Sequence, residues 1–385
     1  MAFLRALRLS RAPAAGMGAV GLLWGALAAL MPDIKATVDA SDVQLGLALL
    51  CAAVGAMVSM LLAPWVGRRL GQAALPVLGI VLAMGSLPPM WAGSVAALAL
   101  AMLGVGLTVS MLDISVNVRV STLEARHGLH LMNLNHAMFS FVFAATAFLT
   151  GVARAAGFGP DAVMPVVALI AVGFACLMWP SAATSEPADD DIRIPRRPPW
   201  GAILLTGLVL FAAFIGENAT EAWSALHIER TLGAAPGEGS FGPATLGLVM
   251  GLGRLSGQFV ATRLGEVRLI FWSAVLGMIG ALGIAAAQSP GVALLGVAVT
   301  GLGMAVIVPS VNSILGAHVL ERQRAFALSR AWMFGFFGYF VGPAMMGGVA
   351  QVYGLRASFV AVALLIAIIL PAVMALARRP KANLA

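Results

Sequence analysis

Charge is what this sequence has least of. Lys, Arg, Asp and Glu together make up 10% of its 385 residues, against roughly 25% in a soluble domain. That deficit excludes a surface built for water. Cysteine is nearly absent too. Cys51 and Cys176 both lie in apolar segments, which rules out a disulfide framework and offers no metal-ligand spacing. The longest hydrophilic stretch, 181–199, is too short to be a soluble sensor domain. No glycine-rich loop follows a strand, so no phosphate or dinucleotide cradle is expected. No nucleophile stands with a base, so the chain does not read as an enzyme. Neither a cofactor nor a metal is implied.

Apolar residues fill the space that charge leaves. They make up 61% of the chain, and its mean hydropathy is +0.97. Only a bilayer accepts that much apolar surface, at about 20 residues per crossing helix. Runs bounded by charge, Pro or Gly predict spans near 13–32, 43–65, 73–91, 95–118, 132–153 and 162–180. A second set follows near 200–223, 243–262, 268–287, 291–314, 326–350 and 356–377. The first run, preceded by Arg5, Arg8 and Arg11, imitates a secretory signal, but equally apolar segments recur to the end, so it reads as a retained span. The break at 181–199 is acidic, then basic, then rich in proline, as suits a solvated linker.

The net charge of +7 is a matter of topology rather than of nucleic-acid binding. Of the 23 Lys and Arg residues, Lys35, Arg154, Arg230 and Arg356 fall in loops on one side and Arg254 within a span. The rest fall on the side of the N-terminus. A positive-inside bias of that size places both termini in the cytoplasm and predicts an even number of spans in the inner membrane.

The two halves repeat. Trp65-Val-Gly-Arg-Arg69-Leu-Gly71 aligns with Phe259-Val-Ala-Thr-Arg263-Leu-Gly265, and Ser115-Val-Asn117 with Ser310-Val-Asn312. Leu123-Glu124 aligns with Leu320-Glu321, and Met138-Phe139-x-Phe141 with Met333-Phe334-x-Phe336. Gly151-Val-Ala153 with Gly157 aligns with Gly348-Val-Ala350 with Gly354. The offsets stay between 194 and 197. The expected architecture is therefore all-α: twelve transmembrane helices in two pseudo-symmetric six-helix bundles, 1–180 and 200–385, with a site between them near mid-depth. That is a transporter architecture.

An ionisable group at bilayer depth costs several kcal/mol, so each one needs an account. Asp113 lies six residues before Arg119, in the cytoplasmic third of span 4, with Asn117 on the same face. It either takes a proton or substrate hydroxyls, or neutralises Arg68 or Arg69. Glu217 and Glu221 share a face of span 7, with Asn218 beside them. Two carboxylates so placed are suited to loading and releasing a proton, although Glu221 also reads as a vestibule residue. Arg254 requires an anion, from the protein or from a substrate. Asp33, near Lys35, Asp39 and Asp42, reads either as a site acid or as part of a solvated loop. Asn133, Asn135 and His136 open span 5, and His136 either lines the cavity or is a satisfied helix-end histidine. His127-x-x-His130 lacks the ligands to complete a metal site. The glycine pairs read as helix-packing surfaces, and the scattered methionines as filling for core gaps.

The loop after span 2, Pro64-Trp-Val-Gly-Arg68-Arg69-Leu-Gly71-Gln72, resembles the G-x-x-x-D-R-x-G-R signature of the major facilitator superfamily. Gln258-Phe-Val-Ala-Thr262-Arg263-Leu-Gly265-Glu266 repeats it weakly, and the acidic position is Arg68 or Thr262. Four stretches are similar to the fucose-permease-like branch: Leu23-Trp24-Gly25 leading to Asp33-Ile34, Leu112-Asp113-x-x-x-Asn117, Met132-Asn-Leu-Asn-His136, and Glu217-Asn-Ala-Thr-Glu221-Ala-Trp223-Ser-Ala225. The resemblance implies a monomeric secondary transporter, driven by a proton gradient, for a small polar solute such as a sugar. Its alternative is export of amphipathic compounds by proton antiport. The candidate substrate and coupling residues are Asp113, Asn117, Glu217, Glu221, Asn218, Asp33, Arg254, Asn133, His136, Asn312 and Trp24. Arg68, Arg69, Gly71, Arg263 and Gly265 are the gating-loop candidates.

Overall fold

A computed structural model describes residues 8–127, 131–179 and 199–379. Among them there is helix and no strand, the form lipid demands, because a helix satisfies its own backbone hydrogen bonds. The first half comprises α1 (Arg11–Thr37), α2 (Asp42–Leu70), α3 (Ala74–Gly85), α4 (Val95–His127), α5 (Met132–Ala155) and α6 (Pro160–Leu177). The second comprises α7 (Trp200–Leu226), α8 (Phe241–Leu264), α9 (Glu266–Ala286), α10 (Pro290–Met304), α11 (Ile307–His318), α12 (Glu321–Ala367) and α13 (Ile369–Ala377).

Among the described residues, ten segments are long and apolar enough to cross a bilayer. One of them, Pro290–His318, joins α10 and α11 across a break at Ala305 and Val306. Another, Phe326–Ala377, is 52 residues long, more than twice what one crossing needs. It turns back on itself. Gly354 leaves helical geometry at φ 80°, and Ser358 Oγ donates to the Met346 carbonyl at 3.1 Å. Twelve residues of straight helix would hold those groups about 18 Å apart. Counted as two crossings, and with the 24-residue α8 added, the architecture is consistent with twelve.

The repeat read from sequence is written into the backbone. Gly71 and Gly265 have φ of 52° and 76°, and Gly157 and Gly354 have 88° and 80°. Both matched pairs thus occupy the left-handed region that favours glycine. The packing repeats as well: α1 lies on α5 as α7 lies on α12, α2 on α4 as α8 on α10, and α3 on α6 as α9 on the end of α12 and α13. The helices exceed the expected bounds where polar turns have the look of helix ends. α4 continues past Val118 to His127, so Asp113 is about 21 Å of helix from its terminus.

Lipid tails are as apolar as leucine, so small residues and close packing must hold the helices together. Two seams join the halves, α5 against α8 and α2 against α12. A side chain at Gly247 would strike Phe143 and Ser140, and one at Gly251 would strike Phe141. Gly46 lies on Pro343, and Gly347 on Asp42 and Val43. These contacts gather toward the end of the molecule remote from the N-terminus, called here the far end.

Within the first half, Gly106 of α4 rests on the Ala52 backbone, whereas nothing lies within 4 Å of a side chain built at Gly104. Gly106→Val is therefore expected to destabilise the bundle by about 1–3 kcal/mol through overpacking. Gly104→Ala should leave it unchanged. Thermal unfolding in detergent, followed by fluorescence-detected size exclusion, separates the two.

Candidate functional site

α7 carries its polar residues on one face. Phe214, Glu217 and Glu221 follow at helical spacing and look toward α12 and α8. Arg254, midway along α8, donates from Nη2 to Glu217 Oε1 at 3.0 Å and from Nη1 to Ser140 Oγ at 2.8 Å. Its side chain is 14% exposed and that of Glu217 12%. Ser140 belongs to α5, in the other half, and its hydroxyl donates to the His136 carbonyl at 3.1 Å. The charged pair lies within the second half, and the Arg254 hydrogen bond to Ser140 ties it to the first at mid-depth. His136 and Glu221 lie within electrostatic reach of Arg254, and Glu221 also of Glu217.

Tyr339 of α12 completes the cluster, within electrostatic reach of Glu217, Glu221, Arg254 and, from the first half, Asp113. It belongs to an aromatic group in which Phe214 meets Tyr339, Trp332 and Phe336 with ring centroids 4.9, 5.5 and 5.6 Å apart. Trp332 Nε1 donates to Asn312 Oδ1 at 3.2 Å. Asn117 Nδ2 donates to Asp113 Oδ1 at 3.1 Å and to the Asp113 carbonyl at 2.9 Å. No ion pair joins Asp113 to Arg68 or Arg69 among the described residues; Arg69 instead lies over the Trp65 ring at 5.5 Å. The cluster sets three half-buried carboxylates and one arginine between two lobes.

Residues 206–385 match the family model described as Major Facilitator Superfamily. An uncharacterised MFS-type transporter of Yersinia pestis is 26% identical over 351 residues, covering 90% of each chain. The membrane protein MosC of Rhizobium meliloti is 26% identical, over 87% of this chain and 82% of its own. Among solved structures, a bacterial homolog of the human lysosomal transporter Spinster, inward-facing and occupied, superposes with a TM-score of 0.72 at 16% identity, over 98% of both chains. The nucleoside transporter NupG superposes at 0.70 and 15%, over 97% of this chain and all of its own. The chain is a membrane transporter with the major facilitator fold. It is a multi-pass protein acting on a small molecule, and not an enzyme.

The transporter has a second charged cluster, at the far end, which no pattern in the sequence announces. Arg154, at the end of α5, is 1% exposed. It donates from Nε and Nη2 to Asp33 Oδ2 and Oδ1, both at 2.6 Å. It donates from Nη1 and Nη2 to Glu229 Oε1 and Oε2, at 2.5 and 3.0 Å, and from Nη1 to Ser240 Oγ at 3.3 Å. All five guanidinium donors are used. Glu229 Oε1 also accepts from the Gly237 and Gly239 amides. Beside it, Arg230 Nη1 meets Asp42 Oδ1 at 2.6 Å, and Lys35 Nζ approaches the same oxygen at 3.4 Å.

Of the predicted residues, Glu217, Glu221, Arg254, His136 and Asp113 with Asn117 come together between the halves. Asn218 is half-buried on α7, its Oδ1 buried without a partner. Asn312 joins the periphery through Trp332, and Trp24 packs on the core of the first half. Asp33 does not join them: it is neither in the central cluster nor in a solvated loop, but bound to Arg154. The Asn133 side chain and His130 lie outside the described residues. Arg68, Arg69, Gly71, Arg263 and Gly265 are exposed, but the three arginines lie in the last turns of α2 and α8 rather than in a loop, with Gly71 and Gly265 directly after those helices. Ser140 and Tyr339 are not among the predicted residues, because a hydroxyl on an apolar helix carries no signal of its own.

The central pair is open to a double-mutant cycle. Glu217→Gln leaves a guanidinium that stays charged, whereas Arg254→Gln leaves a carboxylate that can take up a proton. Glu217→Gln should therefore lower the thermal midpoint more, and the double variant should recover part of the loss. A coupling energy above about 1 kcal/mol is expected. Equal and additive effects would contradict the pairing.

Proposed function

We propose that the transporter is a proton-coupled secondary transporter for a small polar solute, of the fucose-permease-like branch. On this reading it works as a monomer in the inner membrane with both termini cytoplasmic. Its bundles, 1–180 and 200–385, rock about the central cluster, and 181–199 tethers them. The observation that carries the reading is the Glu217–Arg254 pair, hydrogen-bonded across to Ser140 of the other half. Both members of the pair lie in the second bundle, but the Arg254 hydrogen bond to Ser140 crosses the seam, so a change of charge at Glu217 reaches the first bundle through Arg254.

The roles follow from chemistry. Glu217 and Glu221 load and release the proton, and Arg254 holds Glu217 in register. Asp113 with Asn117 faces them from the first half and meets solute hydroxyls. Asn218, Asn312, Asn133 and His136 supply further polar contacts, with Trp24 and the Phe214 group as apolar walls. Arg68, Arg69 and Arg263, in the last turns of α2 and α8, and Gly71 and Gly265 directly after those helices, mark the cytoplasmic ends that shift as the halves rock. The far-end contacts correspond to a state closed to the outside.

A second reading, proton antiport of amphipathic compounds, draws on the aromatic group of Phe214, Trp332, Phe336 and Tyr339. The sign of the proton flux separates the two. In liposomes carrying an internal pH dye, an added sugar or related polar solute should acidify the lumen by symport. An amphiphile added outside and exchanged inward for a lumenal proton would make it more alkaline. Asp113→Asn and Glu217→Gln should each reduce the signal at least about tenfold, the loss typical when a general acid–base group is removed. If both variants couple like the parent protein, these residues are not the site.

A further inference from the structure

At the far end Arg154 holds one carboxylate more than its own neutralisation requires. Asp33, from the same half as Arg154, already matches Nε and Nη2 in a two-pronged contact at 2.6 Å. Glu229 adds a second carboxylate to a guanidinium that needs only one, and it comes from the other half. Its place is prepared: it sits on the π-helical turn His227–Thr231, with the Gly237 and Gly239 amides directed at Oε1. The next residue, Arg230, carries the opposite charge to Asp42, also of the first half.

One short turn therefore pins both seams. Glu229 is held at the end of α5, which lines the α8 seam, and Arg230 at the start of α2, which lines the α12 seam. Adjacent residues of opposite sign fit this pair of partners in one register only. The far end cannot separate without releasing both.

We infer that Arg154 is the positioning residue that sets which face of the transporter is open, with Asp33 as its permanent partner and Glu229 as its releasable one. The inference rests on alternating access. When the far end parts, Asp33 keeps the guanidinium paired within its own half, so no naked cation is exposed to lipid. Glu229 retains its glycine amides and gains water. Two acids on one arginine thus give a contact that can open and re-form, where a single acid would give either a fixed pair or an unpaired charge.

The test needs no solute. With Cys51→Ser and Cys176→Ser, spin labels at Phe158→Cys and Val292→Cys report the far end, and a pair at Arg69→Cys and Leu264→Cys reports the other. In the intact protein the far-end distance should be short. Glu229→Gln should raise the population of long distances roughly tenfold or more, as expected when a buried pair loses one partner in a two-state molecule. Asp33→Asn, which removes an equal charge from the same arginine, should not, because Glu229 still bridges the halves. Asp42→Arg and Arg230→Asp should each open the far end alone and restore closure together. The inference is overturned if Glu229→Gln leaves the distances unchanged, if Asp33→Asn opens the far end as much, or if the reversed pair does not restore closure. If the far end opens while the other end fails to close, alternating access is wrong and the latch stands.

Discussion

A guanidinium cannot shed its proton to escape a low-dielectric interior, so every buried arginine must be met by an acid. Two arginines of this transporter are buried between its lobes, and both are met by glutamates of one strip of chain: Glu217 on α7 and Glu229 on the turn that continues it. Their contacts on the opposite lobe also share one helix, Ser140 and Arg154 on α5. Fourteen residues of helix return almost to the same face, about 21 Å further along. These two polar links between the lobes are thus set by a single pairing of α5 with the second half, one link at mid-depth and one at the far end, where Arg230 and Asp42 of α2 add another.

Between those links the seam is made of small residues. Just before α8, Ser240 sits under Arg154; along it, Gly247 lies under Phe143 and Ala144, Gly251 under Ser140 and Phe141, and Arg254 reaches Ser140. Tight packing of this kind gains only dispersion energy over helix–lipid contacts, since burial from water drives nothing inside a bilayer. The adhesion is broad and shallow, and the directional energy sits at the two ends. That division suits a surface that must separate and close again: the packed part fixes the register, and the charged ends decide when it holds.

How much of this the sequence discloses depends on whether a residue's role is local. Glycines that must adopt positive φ leave a mark wherever they stand, and the matched pairs Gly71 with Gly265 and Gly157 with Gly354 are legible as a repeat from residue order alone. Glu217 and Arg254 are legible because charge is so scarce in this chain that each instance demands a partner. Arg154 carries the same demand but has the look of a loop cation, because the apolar run of span 5 stops short of it; α5 in fact continues to Ala155. Asp33 misleads for the reverse reason. Its neighbours Lys35, Asp39 and Asp42 give it the look of a solvated turn, and only the fold brings a guanidinium 121 residues away onto it.

Neutralisation also separates the acids that hold a cationic partner in this state from those that do not. Arg254 satisfies one carboxylate of the central cluster, and Arg154 shares two at the far end, where Arg230 and Lys35 stand beside Asp42. That leaves Glu221 and Asp113, on opposite halves, within reach of Tyr339 and with no arginine or lysine paired to either among the described residues. A bilayer penalises an unmatched carboxylate, and the cheapest relief is a proton, since a neutral acid needs no counter-ion. The proposed coupling uses that relief: an acid that must be protonated to sit comfortably between the lobes becomes, when the cleft admits water, an acid that can give the proton up.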